Sequence, residues 1–452
     1  MIEDIKYKGY WKLPTDSDYK VSGELSFTKE TGIQLALLGS LTGKHSGRQN
    51  YKAIQGFTSD GKLITVFDCN GASGHSNPGF TTSSFRGEFM FVGAHYSKLE
   101  DLIIENTAIH FLLLDQWVDI HGIEITELEY KPYRVQTTYT HPPSISLYSD
   151  DEKEILIWFS STNPLMGDIL DITIAQKIYI NINYKSPTTV KVILTDIQKF
   201  RNFLSFGLSR TIVPTEIKLY PKAGEHGSQF IYKESYYPKI NNAKEHIFDY
   251  TTLFKYLHIQ KNAHEVVERW FQKYEILRPV FDRYFDCIYN PTLYEVNQFL
   301  NLMFAIETYH RRTTVSHSFP VEKFEELKNT LAVALPQGKE YSEWFKNKFS
   351  YANEVSLRQR LKDVFKEFKE VLDELESKPK EFISKIVQTR NYYVHYDESS
   401  KSGIVTEEEF ESVNSTLVII LQLVLLKELG FNMEDSKAAV KRSLPNWHRF
   451  KH

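Results

Sequence analysis

Cysteine is nearly missing from this chain: 452 residues contain two, Cys69 and Cys287, far apart in sequence. That excludes a disulfide framework and a cysteine-based zinc module, and it suits a reducing, cytoplasmic setting. No charge of one sign dominates. A net charge of −4 and a pI of about 6.5 mean that any nucleic-acid site has to be local. Long apolar runs are missing as well. The most hydrophobic, Leu417 to Leu426, is interrupted by Gln422 and is too short to span a bilayer, so it is expected as a buried helix, with no membrane partner. The opening Met1-Ile2-Glu3-Asp4-Ile5-Lys6 has no signal-peptide character. Internal repeats and low-complexity segments are lacking too.

What is present has a clear division. Of 21 glycines, 18 precede residue 240 and three follow it, Gly338, Gly403 and Gly430. Short glycine-punctuated segments suit strands and turns, and glycine-free ones suit helices. The first part offers strands rich in β-branched and aromatic residues at Ile5–Leu13, Gly23–Thr28, Ile33–Leu38, Leu63–Cys69, Glu88–Tyr96, Ile109–Leu114 and Tyr133–Tyr139. Others follow at Ser144–Tyr148, Glu154–Ser160, Ile169–Ile182, Val190–Thr195 and Glu216–Tyr220, with a short helix over Asp196–Leu208 and a flexible loop over Asn70–Gly79. Helical periodicity takes over near Asn241. Helices are expected from Asn262 toward Pro279, after Pro291, over Val321–Leu335, Tyr341–Lys348 and Glu354–Glu376, and from Pro379. Another is capped by Thr406 with Glu409 and ended by Gly430, and the last spans Glu434–Lys441. The fold class is therefore α+β and multidomain: β-rich sandwich- or barrel-like layers over 1–140, a second β-rich segment over 141–240 divided from the first near Pro142-Pro143, and an all-α bundle over 241–452.

Reactive side chains gather in Arg390-Asn391-Tyr392-Tyr393-Val394-His395-Tyr396-Asp397, at the end of the helix that starts at Pro379. Phe382, Ile383, Ile386, Val387, Tyr393 and Val394 recur at three- and four-residue spacing and form one apolar face, with Arg390 in its middle. A permanent cation there is costly unless it is paired or lines a wet cleft. Asn391 and His395, four apart, are neighbours on the adjoining side. Such a group suits RNA cleavage. The substrate brings its own 2′-hydroxyl nucleophile, histidine supplies acid–base chemistry, and arginine supplies a fixed fork for phosphoryl oxygens. No metal or other cofactor is required, and no acidic or His/Cys cluster offers metal-ligand spacing. One histidine per chain is few for both proton transfers, which a homodimer would remedy. The opposing reading is structural: Arg390 pairs with a core glutamate, and His395 caps or packs.

Several other features have two readings. His310-Arg311-Arg312 is either a phosphate-contact patch facing the motif or a solvated basic turn complementing a helix dipole. Tyr392 and Tyr396 are candidates for stacking on RNA bases, whereas Tyr393 suits the core. The tail is locally basic through Lys441-Arg442 and His448-Arg449-Phe450-Lys451. Ser73-Gly74-His75 matches no hydrolase elbow, Lys44-His45-Ser46-Gly47-Arg48 lacks Walker spacing, and His45 and His95 suit structural roles.

Arg390-Asn391-Tyr392-Tyr393-Val394-His395 resembles the R-N-x-x-x-H signature of HEPN domains, and Phe304-Ala305-Ile306-Glu307 resembles the polar-bearing early helix of the ApeA-type members. Their layout is similar too, a β-rich region followed by the HEPN bundle. The resemblance implies a metal-independent endoribonuclease of anti-phage defence, acting by abortive infection, with Arg390 and His395 catalytic, Asn391 assisting and Glu307 in support. The β-rich region would then sense a phage-derived trigger or restrain the nuclease. The rival expectation is a non-catalytic assembly protein, with a ligand on the β layers and a structural bundle.

Overall fold

The computed structural model describes residues 4–16, 18–28, 30–43, 49–77, 80–130, 133–162, 173–222, 228–232, 249–290, 292–375, 378–396, 401 and 403–443. The chain forms two compact units, Met1–Glu268 and Arg269–His452.

In the first unit, β1 (Ile5–Lys12), β2 (Val21–Thr28), β3 (Gly32–Leu37), β4 (Asn50–Thr58), β5 (Leu63–Asn77) and β6 (Phe80–Gly87) close an antiparallel barrel. The ring runs β1-β2-β3-β6-β5-β4 and back to β1. Alternating positions point Trp11, Leu25, Phe27, Leu35, Ile54 and Val66 into one core. Gly56 has to be glycine there, since a Cβ would lie 2.2 Å from the Trp11 ring. The stretch from Asn70 expected as a loop is strand as far as Asn77, with Pro78-Gly79 outside the described residues. Its Asn, Gly and Ser residues read locally as loop, but pairing with β6 supplies the backbone partners that override that preference. Asp68, in the left-handed region at φ 49°, marks where β5 turns from one neighbour to the next.

Before that point β5 also pairs with β7 (Phe89–Val92), which starts an extension of the sheet. The extension is built from β8 (Ile103–Phe111), β11 (Ile145–Ser149), β12 (Lys153–Ser161), β13 (Gln176–Thr189), β14 (Pro214–Tyr220) and β15 (Ser228–Tyr232), in the order β7-β15-β14-β8-β13-β12-β11. A separate two-stranded sheet joins β9 (Ile123–Tyr130) to β10 (Tyr133–Tyr139). Sheet hydrogen bonds therefore cross residue 140: β8 lies between β13 and β14. After the short α1 (Leu114–Val118) comes α2 (Val190–Leu208), packed on β8 and β13. The strand expected over Val190–Thr195 is its first turns. Branched residues favoured a strand locally, but Val190, Ile193, Ile197, Phe200 and Leu204 bury one helical face.

Past α3 (Tyr256–Ile259), α4 (Ala263–Tyr289) carries the chain into the second unit and continues through Pro279. There follow α5 (Glu295–Thr313), α6 (Val321–Val333), α7 (Lys339–Phe349), α8 (Leu357–Glu367), α9 (Lys369–Leu375), α10 (Pro379–His395), α11 (Phe410–Glu428) and α12 (Met433–Ser443). The single helix expected over Glu354–Glu376 is two, because the backbone leaves helical geometry at Phe368 while burying its ring. The α11 helix packs on α5 and α12, α5 on α8, and α8 on α10. Helix α11 with the turn before it is long and apolar enough to cross a membrane, but 72% of its apolar window is buried in the bundle, as in a core helix. Thr406 and Glu409 form the expected capping box ahead of it, and Gly430 follows its end at φ 92°. The architecture is thus a β-rich, barrel-containing N-terminal region followed by a helical C-terminal region.

Candidate functional site

Helix α10 changes character along its length. Phe382, Ile383, Ile386 and Val387 are buried, as their spacing predicted. Thr389 is fully buried; its hydroxyl donates to Lys385 O at 2.8 Å and accepts the Val405 N–H at 2.8 Å, tying α10 to the segment that leads into α11. Beyond Thr389 the helix emerges. Val394, expected on the apolar face, is 39% exposed, and Asn391, His395 and Tyr396 are exposed too. Tyr396 adopts φ 52° and its N–H donates to Tyr392 O, ending the helix. Asp397 lies outside the described residues.

Arg390 sits at the point of emergence, its side chain 21% exposed. Its Nη2 lies 3.4 Å from Glu307 Oε2, and its Nη1 donates to Asn391 Oδ1 at 3.2 Å. The guanidinium carbon lies 5.6 Å from the centroid of the Phe304 ring, which Arg283 also approaches at 5.8 Å. Phe304 and Glu307, three apart on α5, share the face toward α10. Arg390 Nε is buried and has no hydrogen-bond partner among the described residues. Burying an unpaired donor costs about 1–3 kcal/mol, so the arginine is held in place without being satisfied.

Glu307 belongs to a longer chain of charges. Its Oε1 accepts from Arg311 Nε at 3.3 Å and Nη2 at 3.2 Å, and Arg311 Nη1 donates to Glu354. Arg360 Nη2 lies 3.6 Å from Glu354 Oε2, and Arg360 Nη1 donates to His310 Nδ1 at 3.1 Å. His310 Nε2 then faces Asp363 Oδ2 at 3.3 Å, and Gln359 Nε2 donates to Asp363 Oδ1 at 2.8 Å. Because an arginine can only donate, His310 Nδ1 is the bare acceptor and Nε2 carries the proton. Burial, reinforced by the Arg360 charge, pushes the His310 pKa below its ordinary value, with Asp363 pulling the other way.

The fold thus brings Glu307, Arg311, Arg390 and Asn391 together. The run His310-Arg311-Arg312 divides three ways: His310 is buried against Arg360 and Asp363, Arg311 lies between two carboxylates, and Arg312 donates to Ile276 O at 2.6 Å. His395 stands five residues past Arg390 and one turn past Asn391. Beside it the Tyr392 and Tyr396 rings lie 6.0 Å apart at a tilt of 56°, and Tyr393 packs on Phe410 at 6.1 Å. In the first unit His95 Nε2 lies 2.8 Å from Gly56 O, and His75 is exposed on β5. Lys44–Arg48 and the tail from residue 444 lie outside the described residues. Sequence reasoning missed Glu354, Arg360 and Asp363. The available signal was Arg360 beside Leu361 on the buried stripe of α8, the same anomaly that marked Arg390. Among the described residues no group of three or more His, Cys, Asp or Glu is placed to hold a metal ion.

Comparison with known families matches residues 6–270 to the model described as ApeA N-terminal domain 1, and residues 300–435 to that described as Apea-like HEPN. The second match holds Phe304, Glu307, the charge chain and the whole Arg390–His395 stretch. No curated protein and no solved structure matches.

Proposed function

The chain belongs to the ApeA family of HEPN proteins, and from that premise we propose that it is a metal-independent endoribonuclease of abortive anti-phage defence, acting in the cytoplasm. HEPN domains typically dimerise and act on RNA. In this reading His395, exposed at the end of α10, exchanges protons with the 2′-hydroxyl or the leaving 5′-oxygen. Arg390 receives the phosphoryl oxygens, and Asn391 fixes its Nη1 while lying one turn from His395. A two-fold homodimer supplies the second histidine, so that base and acid come from different copies. Glu307 and Phe304 hold Arg390; Tyr392 or Tyr396 stacks on a base next to the cut. The β-rich unit restrains the bundle until a phage-derived component binds its active state preferentially.

One observation carries this reading: a guanidinium fixed by Glu307, Asn391 and Phe304 keeps 21% of its side chain exposed, five residues before an exposed histidine on the same helix. Preorganised donors of this kind stabilise developing phosphoryl charge. The test is cleavage of total RNA in excess chelator by wild type, Arg390→Ala and His395→Ala, with circular dichroism as the check on folding. Cleavage by wild type and none by the folded variants is expected. Silence of wild type, with and without phage lysate, would sink the reading in favour of a non-catalytic assembly protein.

A further inference from the structure

We infer that Arg311 is a positioning residue for the nuclease site, not an RNA contact: braced by Glu354, it occupies one oxygen of Glu307 and so keeps that carboxylate from capturing Arg390. The inference rests on the ribonuclease reading and deepens it.

The argument starts from how Glu307 divides its two oxygens. Oε1 takes both Nε and Nη2 of Arg311, whereas Oε2 meets Arg390 through a single contact at 3.4 Å. An arginine and a carboxylate left to themselves prefer the two-pronged fork, in which both oxygens are used and the cation is neutralised. Arg390, with Nε unpartnered, is open to that fork. Arg311 blocks it by holding Oε1. Glu307 then steadies Arg390 with one oxygen and leaves the rest of its charge for phosphate.

Arg311 can do this because its far end is tethered. Its Nη1 donates to Glu354, and Glu354 is itself fixed by its backbone: Ser318 Oγ donates to Glu354 O at 2.8 Å, and His317 bridges to Glu354. Arg360 adds a second cation at 3.6 Å and is supported by the neutral His310. The side chain of Arg311 is 45% exposed, yet each of its three nitrogens already donates to a carboxylate, so an RNA phosphate would meet only the two remaining N–H donors of a cation held between two anions. Guanidiniums and carboxylates alternate from Arg390 through Glu307, Arg311 and Glu354 to Arg360, so Arg311 has an anion on each side and the surplus positive charge falls at the ends of the chain, Arg390 among them.

The experiment uses the full chain with Arg311→Met, Arg311→Lys and Glu354→Gln, each with and without Glu307→Gln. RNA cleavage is resolved into kcat and KM, and the salt dependence of RNA affinity is measured in a His395→Ala background. Arg311→Met is expected to lower kcat on the order of tenfold with KM within about twofold. Glu354→Gln should do the same less strongly, and Arg311→Lys should rescue poorly, since an ammonium cannot fork between two carboxylates. In the Glu307→Gln background the Arg311 effect should vanish. A raised KM with a salt slope smaller by about one phosphate, unaltered by Glu307→Gln, would identify an RNA contact and overturn the inference. If wild type cleaves nothing with or without phage lysate, the ribonuclease reading has failed by itself. The positioning role is then read from urea unfolding, as coupling between Arg311→Met and Arg390→Met that disappears with Glu307→Gln. No coupling there overturns it.

Discussion

Replacing His310 with alanine asks whether one neutral imidazole makes Arg360 tolerable inside the bundle. The Arg360 side chain is 5% exposed, and its Nε has no hydrogen-bond partner among the described residues. Its remaining contacts are Glu354 at 3.6 Å, beyond hydrogen-bond distance, and the His310 Nδ1 acceptor at 3.1 Å. Alanine removes that acceptor and opens a cavity. Stripping the partner from a buried charge costs about 3–5 kcal/mol, and the low end applies because Glu354 remains. We therefore expect a loss of about 3 kcal/mol for His310→Ala. His310→Gln keeps an acceptor for Arg360 and a donor for Asp363, so it should cost less than about 1.5 kcal/mol. Equilibrium urea unfolding of the helical transition by far-UV circular dichroism reads both values, with unchanged slopes confirming a stability effect. Equal losses for the two variants would refute the reasoning, as would an alanine cost within surface-substitution range. The pH dependence gives an independent arm. The folded His310 pKa lies below the ordinary 6.5, so near and below that value the unfolded chain binds more protons. The contribution is complete above pH 6.5 and declines as pH falls toward the folded pKa; His310→Gln should abolish that decline.

Three further outcomes follow from polar contacts that are buried or half-buried. Lys153 Nζ lies 2.5 Å from Asp196 Oδ1, with the side chains 9% and 3% exposed, so Lys153→Met should destabilise the first unit by about 3–5 kcal/mol. The double change Lys153→Met/Asp196→Leu should recover most of that in thermal unfolding. Burial pushes the Glu216 pKa up, but the Lys177 and Tyr179 hydrogen bonds outweigh it and bring it down to about 2. Its contribution is therefore present above the ordinary 4.5 and is lost as pH falls toward 2, and acid titration of Glu216→Gln should show a shallower decline across that window. Thr389→Val leaves the Val405 N–H without its acceptor, and chemical unfolding should register a loss of about 1–3 kcal/mol.

Local chemistry made the ends of helices legible. Pro379, the Thr406–Glu409 box and Gly430 each act within a turn of their own position, so sequence alone locates them. Arg390 was legible as a problem, a cation among Ile386, Val387 and their neighbours, and Glu307 is the partner the structure supplies. Elements held by distant pairing were not legible. The second half of β5 is strand because β6 lies beside it, and Val190–Thr195 is helix because β8 and β13 receive its apolar face. The charge chain left the faintest mark: Arg360 and His310 are 50 residues apart, and neither position announces the other.

The place of β8 has a consequence for how the chain is made. The six barrel strands are contiguous in sequence and can close once Gly87 has left the ribosome. Strand β8 emerges soon after, but its neighbours are β13 and β14, so one edge stays open until Thr189 has been translated and the other until Tyr220. Non-local pairing of this kind is slow, and unpaired edges invite association between nascent chains. Strand β7 waits longer still, for β15. The shortest N-terminal fragment in which all these strands meet their partners therefore ends after Tyr232, and one cut at residue 140 would carry β8 with two raw edges.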